Sequence, residues 1–436
     1  MDNRDKAAGR KRQPEGANIP ANKRFKSAET VSAYLGAITN ELSSNGTVQQ
    51  PMKIHDTRFH RRMKEENKQE KLTDLNAYYI EHLSLTDLLN VANSNQQLKP
   101  AADLVFMSHF GKRFIKIDVD RMNLGISEKR TYSVTTAIPW SFRLKLLRCF
   151  GHLITRLKIA YKHSHEPSQE DSKRAAQIDC NVNKYCAESL VEIEFENCAA
   201  HTLNDLKKPF STVESVHFTD CEIGSKLSEL DKWFPKVQRL EFYRTIGTSD
   251  GNDIAVHFAH LQHLGLYYPP DEKICFNEQY FVELLRLNPN LRSLCIGGCI
   301  DAKYLQSVRQ HLQHLESLDI YAHGHFSDIA NDTVHFPNVK KLTLRNVVLE
   351  QFPLTFNELE SLDVVSTAMD RPLADFISKH KTLTKLTYLG RKRGKEGVLS
   401  EISSPALVEV DFGHCIFPID EVISFMDICT SLKKLT

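Results

Sequence analysis

The chain has 436 residues, of which 41% are hydrophobic, and its formal net charge at pH 7 is +1. This length is sufficient for two domains and a tail around a buried core, and the balanced charge argues against a global nucleic-acid-binding surface. No apolar run approaches the ~18 residues that a membrane-spanning helix requires, so neither nucleic acid nor a membrane is expected as a partner.

The first 71 residues are predicted to form a disordered basic tail. They contain 15 Lys and Arg against 9 Asp and Glu, and their sparse apolar residues cannot offset the entropy of ordering. An exposed tail can place two basic clusters in the acidic grooves of a carrier, which makes an importin a candidate partner and the nucleus a candidate location beside the cytoplasm. A solvated charged tail is the alternative. The clusters have bipartite spacing and consist of Lys11, Arg12, Lys23, Arg24 and Lys26.

Residues 72–112 are predicted to form a small all-α unit. Ser84 or Thr86 can cap a first helix, and Pro100 can begin the next one. The apolar residues of the first helix are Leu88, Leu89, Val91 and Ala92. These helices are short, so they are expected to pack on one another or on a partner.

This unit resembles an F-box, the trihelical motif that docks on the Skp-family linker of SCF ubiquitin ligases. The match follows the order L-S-L-x-D-L-L-x-V-A-x-x-N-x-x-L and begins at Leu83, whereas the first half departs from the family pattern, with Thr73 near the usual proline. A helical cap for the following domain is the alternative interpretation. The linker-binding residues that the resemblance implies are Leu75, Ile80, Leu83, Leu85, Leu88, Leu89 and Leu98.

From residue 113 to 436 the phrase apolar-x-x-apolar-x-apolar recurs at steps mostly between 20 and 30 residues, close to the period of leucine-rich repeats. The last positions of each copy alternate as in a strand, and one strand cannot bury its own apolar face, so stacked parallel strands are expected. Apolar residues at helical spacing follow several strands. The copies begin at Ile154, Leu190, Val213, Val237, Leu261, Leu291, Leu315, Val339, Leu359, Leu383, Leu407 and Leu432.

The predicted fold class is therefore α/β: a curved leucine-rich-repeat solenoid with a parallel concave sheet and helical returns, preceded by the F-box-like unit and the tail. Four cysteines share the ninth position of their repeats, where a buried thiol acts as a small hydrophobe. Because no C-x-x-C pair occurs, neither a zinc site nor any other cofactor is expected. The four are Cys198, Cys221, Cys299 and Cys415.

The third, fifth and seventh positions of each repeat are predicted to face solvent on the concave side. Tyrosine and arginine at these positions are typical of protein-binding hot spots, whereas the acids at the fifth position form a solvated charge ladder. A rim loop at residues 268–273 is a second candidate contact. The predicted substrate-binding residues are Arg239, Tyr243, Tyr267, Tyr321 and Arg345.

The order of units resembles the F-box/leucine-rich-repeat substrate adaptors. The resemblance implies a non-catalytic substrate-recognition subunit of a cullin-type ubiquitin ligase, whose partners are the Skp-family linker, the cullin core and an unidentified protein substrate. A leucine-rich-repeat interaction scaffold without ligase association is the alternative. No enzyme is expected, because the sequence contains no G-x-x-x-x-G-K-[ST], G-x-S-x-G or H-E-x-x-H motif.

Overall fold

The structure is a computed structural model in which the chain forms two compact units, Met1–Val105 and Phe106–Thr436. The predicted domain boundaries after residues 71 and 112 stay predictions. The residues that the structure describes are 70–74, 76–119, 123–129, 132–137, 139–161, 168–198, 206–245, 256–267, 278–298, 300, 302–324, 333–347, 354–367, 369–390, 397–413 and 415–436.

The described part of the first unit is mostly helical. Residues 70–74 and 76–80 are helical, and they precede α1 (Leu85–Ser94) and α2 (Lys99–Phe110). Ser84 is the N-cap of α1, and its hydroxyl accepts a hydrogen bond from the backbone N–H of Asp87 at 3.2 Å. This cap satisfies one of the free amides of the first turn, as the sequence predicts.

The second unit contains a 15-stranded sheet in which 13 strands run parallel and follow one another in chain order. An antiparallel pair, β2 (Asn123–Lys129) and β3 (Tyr132–Ala137), extends one edge beside β1. The parallel strands are β1 (Phe114–Asp118), β4 (Arg156–Ala160), β5 (Glu192–Glu196), β6 (Ser215–Thr219), β7 (Arg239–Tyr243), β8 (His263–Tyr267), β9 (Ser293–Gly297), β10 (Ser317–Gly324), β12 (Lys341–Val347), β14 (Ser361–Val365), β15 (Lys385–Leu389), β16 (Glu409–Asp411) and β17 (Lys434–Leu435).

Many of the segments that return from one strand to the next contain helices, as predicted. They are α3 (Trp140–Phe150), α4 (Gln169–Tyr185), α5 (Leu230–Trp233), α6 (Glu278–Leu287), α7 (Ala302–His311), α8 (Arg371–Lys379) and α9 (Ile419–Ile428), with short 3-10 helices at Gly151–Leu153, Gly224–Glu229 and Leu399–Glu401. Helical returns are not universal. The described residues of the returns after β10 and β12 contain β11 (Val334–Phe336) and β13 (Leu354–Phe356), which pair in parallel, and the second of these returns lies in the short 20-residue step from Val339 to Leu359.

The repeated strands direct alternate side chains to the core, which gives the sheet one apolar core face and one polar face. In β7 the side chains of Leu240 and Phe242 are buried, whereas Arg239 and Tyr243 are exposed. The core face contains a stack of three rings on neighbouring strands, with centroids of Phe195 and Phe218 5.3 Å apart and those of Phe218 and Phe242 5.5 Å apart. Apolar burial on this face therefore runs continuously from strand to strand and supplies the driving force for stacking.

Several strands end in the same left-handed turn. The residue at the eighth repeat position has a positive φ, and its backbone N–H continues the ladder, as when Asn197 donates to the Thr219 carbonyl at 2.8 Å. Next in the chain are the predicted inward-pointing cysteines, and Cys198 and Cys221 are indeed buried. Cys299 lies outside the described residues, and Cys415 is partly buried. The residues with this turn are Asn197, Asp220, Arg244, Gly298, Asn346 and Ser366.

Candidate partner-binding face

The structure divides the candidate linker-binding residues between interior and surface. Ile80, Leu88, Leu89 and Leu98 are at most 1% exposed, so these side chains are packed within the chain. Leu83 and Leu85 are half-buried, and Leu75 lies outside the described residues. A role in contacting a partner stays a prediction for the whole set.

Two exposed aromatic residues of the first unit were not among the candidates. Tyr78 is 67% exposed and Tyr79 is 48% exposed, and their ring centroids lie 5.9 Å apart in an edge-to-face arrangement. Tyrosine is enriched in protein interfaces because it combines a large apolar surface with a polar end. Helical spacing identified the apolar positions in this segment, but it does not distinguish an exposed aromatic residue from a buried one.

The five candidate substrate-binding residues all lie on the polar face of the sheet. Tyr243, Tyr267, Tyr321 and Arg345 occupy the seventh repeat position on β7, β8, β10 and β12, with Gly297 between them on β9. Tyr243 is 47% exposed, and its ring centroid lies 6.1 Å from that of Tyr267. The parallel register therefore brings these side chains into one row that crosses five consecutive strands, which we call the aromatic row.

Two glycines shape the aromatic row. A Cβ at Gly265 would lie 2.8 Å from Cε2 of Tyr267, so the tyrosine ring occupies the space that a side chain would need. A Cβ at Gly297 would lie 3.3 Å from Cβ of Tyr321. Burial and the neighbouring Cys295 thiol raise the pKa of Tyr267 above its ordinary range. The row is thus partly recessed into the face.

Beside the aromatic row lies a depression of about 240 Å³ on β5 to β8. Its lining combines two carboxylates, one imidazole, one hydroxyl and three aromatic rings. The residues are Glu194, His217, Phe218, Thr219, Glu241, Tyr243 and Tyr267. Four of these are polar groups at positions that the repeat directs away from the core, so the depression belongs to the polar face.

On one side of the depression, the carboxylates of Glu194 and Glu196 share the ammonium group of Lys158. The Lys158 ammonium lies 2.6 Å from Glu194 Oε1 and 2.8 Å from Glu196 Oε2, and Lys116 lies 3.3 Å from the same Glu196 atom. Burial lowers the pKa of Lys158, but the two carboxylates outweigh it and raise that pKa. Burial in turn raises the pKa of Glu196, yet Lys158 and Lys116 leave it below its ordinary value.

The other side of the depression is a histidine–carboxylate network. His217 Nδ1 lies 2.8 Å from Glu241 Oε2, and His217 Nε2 lies 2.7 Å from the Ser215 hydroxyl and 3.2 Å from Glu192 Oε1. His263 Nε2 approaches Glu241 Oε1 to 3.2 Å. Burial would raise the pKa of Glu241, but the two histidines and the nearby Arg239 charge hold it well below its usual range.

Further along the row, Arg345 is tied to the sheet by an ion pair. Its guanidinium lies 3.2 Å from Asp319 Oδ1, and the guanidinium side chain is 41% exposed. Burial lowers the pKa of Arg345, whereas Asp319 raises it, with a net increase. The Asp319 carboxyl has a pKa above its ordinary value because its burial outweighs the attraction of Arg345. Arg345 therefore presents a positioned cation with part of its donor set directed to solvent.

On the polar face, sequence reasoning missed His217 and did not predict how deeply Glu194 and Glu241 are buried. His217 occupies the same fifth repeat position as Glu194 and Glu241, so strand register contained the signal. The import residues Lys11, Arg12, Lys23, Arg24 and Lys26 and the rim loop at 268–273 lie outside the described residues.

Within the described residues, no three or more His, Cys, Asp or Glu side chains are grouped so that they could hold a metal ion. Among the described helices, none is both long enough and apolar enough to cross a membrane. No family model matches the chain, and no curated protein matches it.

Proposed function

We propose that the chain is a leucine-rich-repeat protein that acts as the non-catalytic substrate-recognition subunit of a cullin-type ubiquitin ligase. In this proposal the repeats form a curved solenoid whose concave side is the polar face, and the aromatic row binds a protein substrate. The helical unit docks on the Skp-family linker, which connects it to the cullin core. The basic tail directs the protein to the nucleus through an importin, with the cytoplasm as a second location.

The observation that carries the proposal is the aromatic row. Binding hot spots are enriched in tyrosine and arginine, and these residues stand on four of five consecutive strands, which offers a rigid, preorganised surface for a protein chain. The F-box resemblance from Leu83 to Leu98 adds the ligase connection. An interaction scaffold without a ligase would use the same row, so the linker decides between the two functions.

Linker binding by the full-length protein is the direct test. Leu85→Asp places a carboxylate at a half-buried position at the start of α1, and we expect it to abolish capture by the Skp-family linker while the thermal unfolding curve stays in place. Leu88→Asp is the folding control, because Leu88 is fully buried and a carboxylate there should destabilise the helical unit. If the folded wild-type protein does not bind the linker at micromolar concentration, the adaptor proposal is wrong and the scaffold remains.

A further inference from the structure

The depression beside the aromatic row contains a carboxylate oxygen without a partner. Glu194 is 5% exposed, and its Oε1 accepts a hydrogen bond from the Lys158 ammonium at 2.6 Å. Its buried Oε2 has no hydrogen-bond partner. Leaving such an acceptor unsatisfied costs roughly 1 to 3 kcal/mol, and more for a charged group. A donor supplied from outside the chain would remove that cost.

The charges around Glu194 favour a cation as that donor. Among the described residues, the three carboxylates of Asp118, Glu194 and Glu196 share the two ammonium groups of Lys116 and Lys158. Across the depression, Glu241 pairs with Arg239, is hydrogen-bonded to His217 and lies 3.2 Å from His263 Nε2, whereas Glu192 pairs with Arg156. Within the described part of the chain, Lys158 is the cation that contacts Glu194, and Glu194 shares it with Glu196.

The size and walls of the depression favour one planar side chain. Its volume of about 240 Å³ lies below the roughly 300 to 1,000 Å³ of clefts that enclose whole small molecules. The rings of Tyr243 and Tyr267 form one wall, and Tyr243 already stacks with a guanidinium, because Arg244 Cζ lies 5.2 Å from its ring centroid. A guanidinium stacks on aromatic rings and donates to carboxylates through a planar fork, which an ammonium cannot do.

We propose that this depression binds the guanidinium of an arginine side chain presented by the protein substrate, with Glu194 as its acceptor and Tyr243 and Tyr267 as its aromatic wall. This inference rests on the proposed function of the polar face and adds the chemistry of the residue that is recognised. Lysine fits less well, because its compact ammonium neither fills the space between the two sides nor stacks along the rings.

The test uses the full-length protein and a small probe, N-acetyl-arginine N-methylamide, observed by saturation-transfer difference NMR. The arginine probe should show saturable binding, the neutral isostere N-acetyl-citrulline N-methylamide should show none, and the lysine analogue should bind more weakly. Glu194→Gln should weaken the arginine probe by about tenfold or more, because it removes a charge-assisted hydrogen bond. Tyr243→Ala should also weaken it.

Asp363→Asn is the matched control for Glu194→Gln. Asp363 occupies the same repeat position on β14 and pairs with Lys341 at 3.3 Å, but it does not line the depression. This variant should bind the arginine probe as the wild type does, and unfolding curves of both variants establish that they are folded.

Three results would overturn the inference: equal binding of arginine and citrulline probes, unchanged binding in folded Glu194→Gln, or no binding up to the solubility limit of the arginine probe. None of these would affect capture by the Skp-family linker, which tests the ligase proposal independently. Conversely, loss of linker binding with arginine recognition intact would reject the ligase connection and leave this inference standing.

Discussion

Two adjacent residues of β7 provide a direct test of the strand register on which the aromatic row of the polar face depends. Phe242 is 4% exposed and stacks on Phe218, whereas Tyr243, the next residue, is 47% exposed. A one-residue slip of the strand would exchange their environments. Replacing each in turn with alanine should therefore give very different losses of stability.

The magnitudes follow from burial. A fully buried aromatic side chain removes about 200 Å² from water, worth roughly 5 kcal/mol at 25 cal/mol per Å² as an upper estimate, and measured losses for Phe→Ala are about 3 to 5 kcal/mol. Tyr243 is about half exposed, which halves the area, and solvent fills the vacated space so that no cavity forms. We expect a loss of about 4 kcal/mol for Phe242→Ala and about 2 kcal/mol for Tyr243→Ala.

Urea unfolding followed by circular dichroism measures the difference. With a slope of about 3 kcal/mol per molar urea, a gap of ~2 kcal/mol separates the two midpoints by about 0.7 M. Phe242→Leu, which retains much of the apolar volume, should lose less than about 1.5 kcal/mol and serves as the conservative control. Equal shifts for the two alanine variants, or a larger shift for Tyr243→Ala, would refute the assigned register and with it the aromatic row.

Three further predictions concern a cap, a buried histidine and a glycine. Ser84→Ala should lower the stability of the helical unit by about 1 kcal/mol in thermal unfolding, because the variant loses the side-chain cap of α1. Burial lowers the pKa of His380, although its ring nitrogen contacts the Phe376 carbonyl at 2.8 Å. Unfolding thus takes up a proton, so the free energy of unfolding should fall as the pH drops below ~6.5. In urea titrations, the free energy of unfolding of His380→Leu should fall less steeply with pH than that of the wild type, with a difference in slope of at most about 1.4 kcal/mol per pH unit. Gly265→Ala should displace the Tyr267 ring, whose Cε2 lies 2.8 Å from the new Cβ position, and mass spectrometry should detect faster nitration at Tyr267.

The repeating part of the fold was largely predictable, because one constraint acts on each copy. A strand must bury its apolar face on neighbours, so the apolar positions gave both the strands and their sidedness, and helical spacing gave α6, α7 and α9. The returns after β10 and β12 were expected to be helical, but their described residues contain the strands β11 and β13. Their short segments, such as Val334–Phe336, have too few residues to show a period, and pairing between neighbouring repeats decides their conformation.

For the polar face, the sequence predicted which side chains point to it but not how deeply each of them is buried. Alternation places Glu194 and Tyr243 on the same side of the sheet, yet one is 5% exposed and the other is 47% exposed. Depth on a sheet face depends on the side chains of adjacent strands, which lie tens of residues away in the chain. The acids at the fifth position were therefore predicted to be a solvated ladder, although Lys158 and neighbouring groups cover Glu194.

The burial of Glu194 also bears on why a carboxylate stands there. Replacing a buried ion pair such as Lys158–Glu194 with apolar residues of similar volume is often neutral or stabilising, because both charges must otherwise lose their hydration. Folding alone therefore gives little reason for this pair, and still less for the Oε2 atom without a partner. Departures from the best local choice concentrate at functional sites. In the proposed complex an incoming guanidinium would satisfy the acceptor that folding leaves open, so Glu194 is expected to contribute more to binding than to the stability of the fold.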